Sequence, residues 1–112
     1  MHHMAYNETA AQRLRVELGI LPGLTEKKMF GGICFLLGGN MACGVLGDDL
    51  IMRVGAAQHA TALAQLGARV FDFSGKPMTG WVMVAPAGYA SVEDLARWVK
   101  LAVEFAGSLP VK

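Results

Sequence analysis

Short apolar runs separated by glycine-rich turns fill the chain from Lys27 to Val54. Runs of this length between turn residues are typical of β-strands, whereas an amphipathic helix needs a longer pattern with a period of three to four residues. Gly38-Gly39-Asn40 and Gly47-Asp48-Asp49 each supply residues suited to a hairpin turn. The pattern therefore predicts an antiparallel meander of three strands, with structural turns at Gly38, Gly39, Asn40 and Gly47.

The first strand of this meander contains a glycine pair. We predict one strand that runs from about Glu26 to Phe30, bends at the structural turn Gly31-Gly32, and continues from Ile33 to Leu37. Paired glycines inside an apolar run indicate a bulge or a close approach of two backbones.

Helical periodicity predicts a first helix that Gly19 ends and a last helix that Ser91 opens. Between them the pattern predicts a small alanine-rich helix and a second pair of strands. The predicted order is α-β-β-β-α-β-β-α, with the later elements at about 56–66, 69–73, 80–85 and 91–105. This order belongs to the α+β class, as a two-layer sandwich with helices on one face of a five-stranded antiparallel sheet. The other face must then be polar or must meet a partner.

The last helix should bury one apolar face against the sheet. The residues predicted to line that face are Val92, Leu95, Val99, Ala102 and Ala106.

The chain has 112 residues, of which 54% are hydrophobic. A small domain has limited interior for so much apolar surface, which favours a homodimer. No run of about 18 apolar residues indicates a membrane span, and Met1-His2-His3 lacks the regions of a signal peptide. We interpret residues 1–3 as a tag remnant and residues 4–112 as a single domain in the cytoplasm.

The formal net charge of +1 bears on whether the chain binds nucleic acid. Nucleic-acid binding usually requires a clustered basic surface, and the only local concentrations are Lys27-Lys28 and the Arg13/Arg15 pair. The charge pattern therefore argues against nucleic acid, although an accessory role in a transcription complex remains an alternative.

Cys34 and Cys43 are candidates for redox chemistry. If Leu37 pairs with Met41, Cys34 lies opposite Gly44 and the two thiols face different sides; a two-residue loop would instead place Cys34 against Cys43. Buried free thiols and a redox pair are both open. The spacing does not match a metal site, and we expect no metal and no cofactor.

No set of residues is spaced for catalysis. His59 is the only internal histidine, and no nucleophile or acid is placed beside it by the sequence. The glycine pairs at 31–32 and 38–39 lack the arrangement of a phosphate-binding loop. We therefore expect no catalytic residues and a protein that is not an enzyme.

Arg53 and Trp81 suggest a contact surface. On the strand from Leu50 to Val54, Arg53 should point away from the helices, while Lys76 lies in the connection before Trp81. This face is suited to an acidic or amphipathic partner, with Trp81 as an anchor. Two other interpretations remain: a small-anion site between Arg53 and Lys76, and a surface arginine beside a core tryptophan.

Three segments resemble the N-terminal domain family of TfoX, a regulator of natural competence. They are Lys28-Met29-Phe30-Gly31-Gly32, Gly47 to Arg53, and Gly75-Lys76-Pro77-Met78 leading to Trp81. The resemblance implies a small α+β domain similar to the two-layer fold of type III secretion chaperones. It also implies a regulatory or interaction role without catalytic residues.

The competence regulator carries a second, helical domain, whereas this sequence ends at Lys112. We therefore expect the fold of the module to transfer, rather than the competence role. The expected partners are a second copy of the chain and an unidentified protein. The candidate interaction residues are Lys28, Phe30, Arg53, Lys76 and Trp81.

Overall fold

A computed structural model describes residues 6–29, 31–72, 75 and 78–112. Within these ranges, one antiparallel sheet of six strands carries three α-helices on one of its faces. Two 3₁₀ turns, Ala56–Gln58 and Pro86–Gly88, precede the second and third helices. The elements are α1 (Glu8–Leu18), β1 (Leu24–Met29), β2 (Gly32–Leu37), β3 (Asn40–Leu46), β4 (Asp49–Arg53), α2 (His59–Leu63), β5 (Ala68–Val70), β6 (Trp81–Val84) and α3 (Val92–Gly107).

The glycine pair at 31–32 divides what was predicted to be a single strand. β1 and β2 pair antiparallel from Leu24 opposite Leu37 to Met29 opposite Gly32, so the chain reverses direction here. A Cβ on Gly32 would lie 2.2 Å from the Val45 carbonyl oxygen, which explains the glycine by a close backbone approach. The prediction of five strands was wrong for this reason, while the α+β class and the open antiparallel sheet are confirmed.

The strand order in the sheet is β1-β2-β3-β4-β6-β5. The first four strands follow the chain as a meander, and β6 then pairs with β4 so that β5 becomes the second edge. At three residues, β5 is shorter than the predicted strand at 69–73. The sheet therefore has one six-residue edge at β1 and one short edge at β5.

The helix-covered face holds the larger core. Ser91 caps α3 as predicted, because its Oγ accepts a hydrogen bond of 3.0 Å from the Asp94 backbone N–H. Val92 is 66% exposed, so its predicted place on the buried face was wrong. Trp98 is fully buried instead, and its Nε1 donates a hydrogen bond of 3.1 Å to the Gly88 carbonyl. The other predicted residues of this face, Leu95, Val99, Ala102 and Ala106, are buried.

The opposite face of the sheet is also apolar. Cys34, Ile51 and Met83 are buried there, and Phe71 and Met78 from the β5–β6 connection pack over them. The chain therefore covers part of this face by itself, which the sequence pattern did not indicate. Among the described residues, no helix combines the length and the hydropathy needed to cross a membrane.

Candidate binding site

A chamber of about 500 Å³ opens on the helix-free face of the sheet, and we name it the sheet chamber. Its walls come from β1 to β4, the start of β6, the β5–β6 connection and the end of the chain. Six apolar side chains and three cationic residues line it: Met29, Leu36, Met41, Phe71, Met78 and Trp81, with Lys27, Arg53 and Lys112.

The pairing of β4 with β6 brings Arg53 directly opposite Trp81. The Arg53 guanidinium carbon lies 5.0 Å from the centroid of the Trp81 ring and 5.3 Å from that of Phe105 in α3. Such cation–π contacts hold the guanidinium in a defined position. Its Nη1 is 3.5 Å from the Met41 carbonyl oxygen, a long contact that uses little of its donor capacity.

The position of Trp81 depends on the preceding residue, Gly80, whose backbone packs closely against the backbone of Gly55. The Gly80 N–H donates a hydrogen bond of 2.9 Å to Nδ1 of His59, and the Gly80 carbonyl accepts one of 2.8 Å from the Val54 N–H. Gly80 has φ +90°, and a Cβ there would lie 3.0 Å from the carbonyl carbon of Gly55. Only glycine fits this approach, which fixes where β6 begins.

The charged side chains that line the sheet chamber are all cationic among the described residues. No aspartate or glutamate lines it, and no carboxylate lies within 4 Å of the Arg53 guanidinium in the described ranges. The ion pairs between described residues are all made by other arginines, namely Arg15, Arg69 and Arg97. Arg53 therefore brings a positive charge to an apolar wall without a described counter-ion.

The structure places the predicted site residues in different regions. Arg53 and Trp81 lie together, as the sequence predicted for one face. Lys28 is exposed on β1 and is not part of the chamber wall, because its neighbour Lys27 points to that side. Phe30 and Lys76 lie outside the described residues, so the predicted pairing of Arg53 with Lys76 stays a prediction.

Seven wall residues were not among the site residues predicted from the sequence: Met29, Leu36, Met41, Phe71 and Met78, together with Lys27 and Lys112. The alternation of side chains along β1 could have indicated that Lys27 points to the opposite face of the sheet from Lys28. Nothing in the sequence indicated that Phe71 would fold back to within 6.0 Å of the Trp81 ring centroid. Contacts of this kind depend on the path of a connection rather than on a repeating pattern.

The two cysteines lie on opposite sides of the sheet. Gly38 and Gly39 form a two-residue turn with Leu37 opposite Asn40, yet Cys34 lies opposite Gly44 and Cys43 opposite Phe35. A β-bulge explains this combination. Ala42 has no partner in β2 and lies between the Leu36–Met41 pair and the Phe35–Cys43 pair. The structure therefore combines the two-residue loop of one sequence-based alternative with the Cys34–Gly44 pairing of the other.

Both thiols are poorly suited to act as nucleophiles. Burial raises the pKa of Cys34 to about 11, and burial together with the nearby Cys34 raises the pKa of Cys43 to about 12. A thiol reacts as its thiolate, which these environments disfavour. Within the described ranges, no three His, Cys, Asp or Glu side chains come together as metal ligands would.

His59 is engaged in the backbone contact with Gly80 and has no nucleophile hydrogen-bonded to it among the described residues. An imidazole nitrogen that accepts an N–H must be unprotonated, so this contact fixes the tautomer. The arrangement gives His59 a structural task next to the sheet chamber.

Comparison with known proteins supports the grouping that the sequence motifs suggested. No curated protein and no solved structure matches the chain significantly, so the likeness to secretion chaperones stays a prediction. The family model described as the TfoX N-terminal domain matches residues 17–106, which include all six strands and most of α3. The chain belongs to the TfoX N-terminal domain family.

Proposed function

We propose that this chain is a non-catalytic regulatory module of the cytoplasm that acts through protein contacts. The specific contact we infer is the addition of an extended segment of a partner protein to the outer edge of β1. The observation that carries the proposal is the six-residue edge strand, whose central residues, Thr25 to Lys28, are all exposed. An exposed edge of this length offers backbone groups to which another strand can bind.

The register tells which backbone groups point outward. The Gly38 N–H donates a hydrogen bond of 3.0 Å to the Gly23 carbonyl, and hydrogen-bonded pairs alternate along an antiparallel ladder. Thr25 and Lys27 therefore direct their backbone groups toward β2. Glu26 and Lys28 direct theirs to the open edge, where a partner strand would bind.

Side-chain contacts hold the edge in place. Arg15 of α1 contacts both carboxylate oxygens of Glu26, at 2.8 and 3.1 Å, and contacts Glu8 at 2.8 Å. Hydrogen bonds to Glu26 and then to Glu8 raise the pKa of Arg15 above its ordinary value. A bidentate arginine contact restricts geometry more than a single ion pair does, which supports a preformed edge.

Charge repulsion along β1 acts against one of the two main registers in which this edge could pair with a second copy. In a symmetric antiparallel pair of edge strands, the two-fold axis is perpendicular to the sheet, and residues directly opposite one another point to the same face. A residue on the axis must therefore pair with its own copy. The two registers that overlap most of β1 are centred on Glu26 and on Lys27. The first sets Glu26 against its own copy, whereas the second sets Lys27 against its copy and also brings Glu26 opposite Lys28 of the other copy twice. Because the homodimer proposed below uses the helical side, we assign the β1 edge to a different protein.

We extend the proposal to a homodimer formed through the helical side. Val16 of α1 is 72% exposed and Val92 of α3 is 66% exposed, and both line a groove of about 500 Å³. A second copy would remove this apolar surface from water. Size-exclusion chromatography with light scattering should give twice the monomer mass at high micromolar concentration, and a Val16→Glu/Val92→Glu variant should be monomeric. A wild-type protein that stays monomeric would contradict the dimer.

The edge proposal is tested with Lys28→Pro. Proline removes only the outward N–H and is compatible with an edge strand, whereas Lys28→Ala keeps the N–H and serves as the matched control. Extended peptides selected from a displayed library on the wild-type protein should bind Lys28→Ala and lose binding to Lys28→Pro. Selected peptides that bind all three proteins equally would show that the edge is not the contact. Thermal unfolding of the variants checks that the fold is retained.

A further inference from the structure

We propose that the sheet chamber binds a free amphipathic monocarboxylate, a small molecule with one carboxylate and an elongated apolar chain. This inference goes beyond the protein contacts proposed above and uses a different surface. The partner strand would contact the backbone edge of β1, whereas the carboxylate would contact side chains on the helix-free face of the sheet.

The size and lining of the chamber fit a small molecule. Its volume of about 500 Å³ lies within the range of ~300–1,000 Å³ that is usual for ligand sites. Three methionines, Met29, Met41 and Met78, contribute to the wall. Methionine side chains are flexible and polarisable, so they adapt to the shape of an aliphatic ligand.

Arg53 provides the anion-binding group. Its guanidinium is positioned by the rings of Trp81 and Phe105, with centroid distances of 5.0 and 5.3 Å. Its one hydrogen-bond contact among the described residues is the long contact of 3.5 Å with Met41, so most of its five N–H donors are available. A carboxylate matches these donors in geometry as well as charge, and the match is strongest where water is partly excluded.

The separation of Lys27 from Arg53 disfavours a compact anion held between these two cations and leaves room for a long tail. Lys27 is on β1 and Arg53 is on β4, three strands away. With ~4.8 Å between neighbouring strands, their backbones are about 14 Å apart across the sheet. A phosphate held by both is therefore disfavoured, whereas an acyl chain bound at Arg53 would extend over Leu36 and Met29 toward β1.

The test is a titration with monomeric decanoate, followed in ¹⁵N–¹H spectra through the two indole N–H signals. Trp81 lies in the chamber, and Trp98 is fully buried on the other side of the sheet. Decanoate should shift the Trp81 signal and leave the Trp98 signal in place. Decanol, which lacks the charge, should bind at least about tenfold more weakly, as expected for loss of a charge-assisted hydrogen bond.

Variants assign the effect to Arg53. Arg53→Met should weaken decanoate binding about tenfold or more, and Arg53→Lys should retain part of the affinity because it keeps the charge. Arg97→Met is the matched control, since Arg97 lies on α3 and bonds to Asp94 and Gln65 away from the chamber. Lys28→Pro should also bind decanoate like the wild type, which separates this site from the proposed protein contact.

Three results would overturn the proposal. The first is the absence of a Trp81 shift at millimolar decanoate. The second is an equal response to decanol, which would indicate apolar adsorption without carboxylate recognition. The third is unchanged affinity in Arg53→Met while thermal unfolding shows that this variant is folded.

Discussion

Cys34 lies directly across the β2–β3 ladder from Gly44, while Cys43, the residue before Gly44, faces Phe35 on the other side of the sheet. Both thiols are buried, with 1% and 0% of their surface exposed. Because the sheet itself separates their side chains, the two sulfurs cannot form a bond in this register.

We predict that neither thiol reacts with an alkylating reagent in the native protein at pH 8. Burial raises the pKa of Cys34 to about 11 and of Cys43 to about 12, so the thiolate is rare at this pH. Mass spectrometry after iodoacetamide treatment should find no adduct without denaturant and two adducts in guanidinium chloride. Rapid modification of either cysteine in the folded protein would contradict the burial described above.

The same two thiols predict a loss of stability at alkaline pH. Their folded-state pKa values lie above the reference of 9.0, so the folded state holds its protons where the unfolded state releases them. The stabilisation is complete below pH 9 and is lost as the pH rises from 9 to about 11 for Cys34 and from 9 to about 12 for Cys43. The free energy of unfolding should fall by about 1.4 kcal/mol per pH unit for each thiol in this window.

Urea unfolding at several pH values measures this slope. Burial also raises the pKa of Tyr89 above its ordinary value, so this tyrosine contributes to the pH dependence in every variant. A Cys34→Ala/Cys43→Ala protein should be less stable overall but should lose stability more slowly with pH. An unchanged slope in that variant would rule out the thiols as its cause.

Alanine substitutions at two glycines should change the free energy of unfolding in opposite directions. A Cβ on Gly32 would lie 2.2 Å from the Val45 carbonyl oxygen, so Gly32→Ala should force the β2–β3 ladder apart and cost about 1–3 kcal/mol. A Cβ on Gly107, in the last turn of α3, would meet only Leu37 Cδ2 at 3.8 Å. Gly107→Ala should stabilise the protein by about 0.5–1 kcal/mol, because alanine favours the helix and restricts the unfolded chain.

Chemical denaturation of both glycine variants beside the wild type gives the comparison. Equal effects of the two substitutions would show that helix propensity and backbone approach do not distinguish these positions.

Removal of the His59 side chain should also lower the stability of the fold. His59→Ala removes the acceptor for the buried Gly80 N–H and should cost about 1–3 kcal/mol. His59→Asn is the matched control, because its Oδ1 offers an acceptor close to the position of Nδ1. The urea midpoint should therefore be lower for His59→Ala than for His59→Asn. Identical midpoints would show that the hydrogen bond contributes little.

The parts of the fold that repeat locally could be predicted from the sequence. Alternation along β4 placed Ile51 and Arg53 on one face, and the capping residue Ser91 marked the start of α3. The glycine pair at 31–32 was interpreted as a bend because a glycine supports a bulge and a hairpin turn equally well. The pairing of β1 with β2 distinguishes the two, and the glycine residues by themselves do not specify that pairing.

The sheet chamber was not predicted from the sequence, and two of its wall residues were among the candidate interaction residues. Arg53 and Trp81 were assigned to one face, but their direct pairing depends on β6 entering the sheet beside β4. Phe105 comes from α3, 52 residues after Arg53 in the numbering, and packs where a Cβ on Gly55 would lie 2.4 Å from its ring. Such contacts join distant segments, and neither periodicity nor turn chemistry specifies them.

The bulge at Ala42 has a consequence for the response of the chain to an oxidant. If Gly44 were the extra residue instead, regular pairing from the two-residue turn would set Cys43 against Cys34. Directly opposed residues have Cα atoms ~4.5–5.5 Å apart, within the span that a cystine bridges. The location of a single unpaired residue thus decides whether the strand pair carries two isolated sulfhydryls or a potential covalent lock.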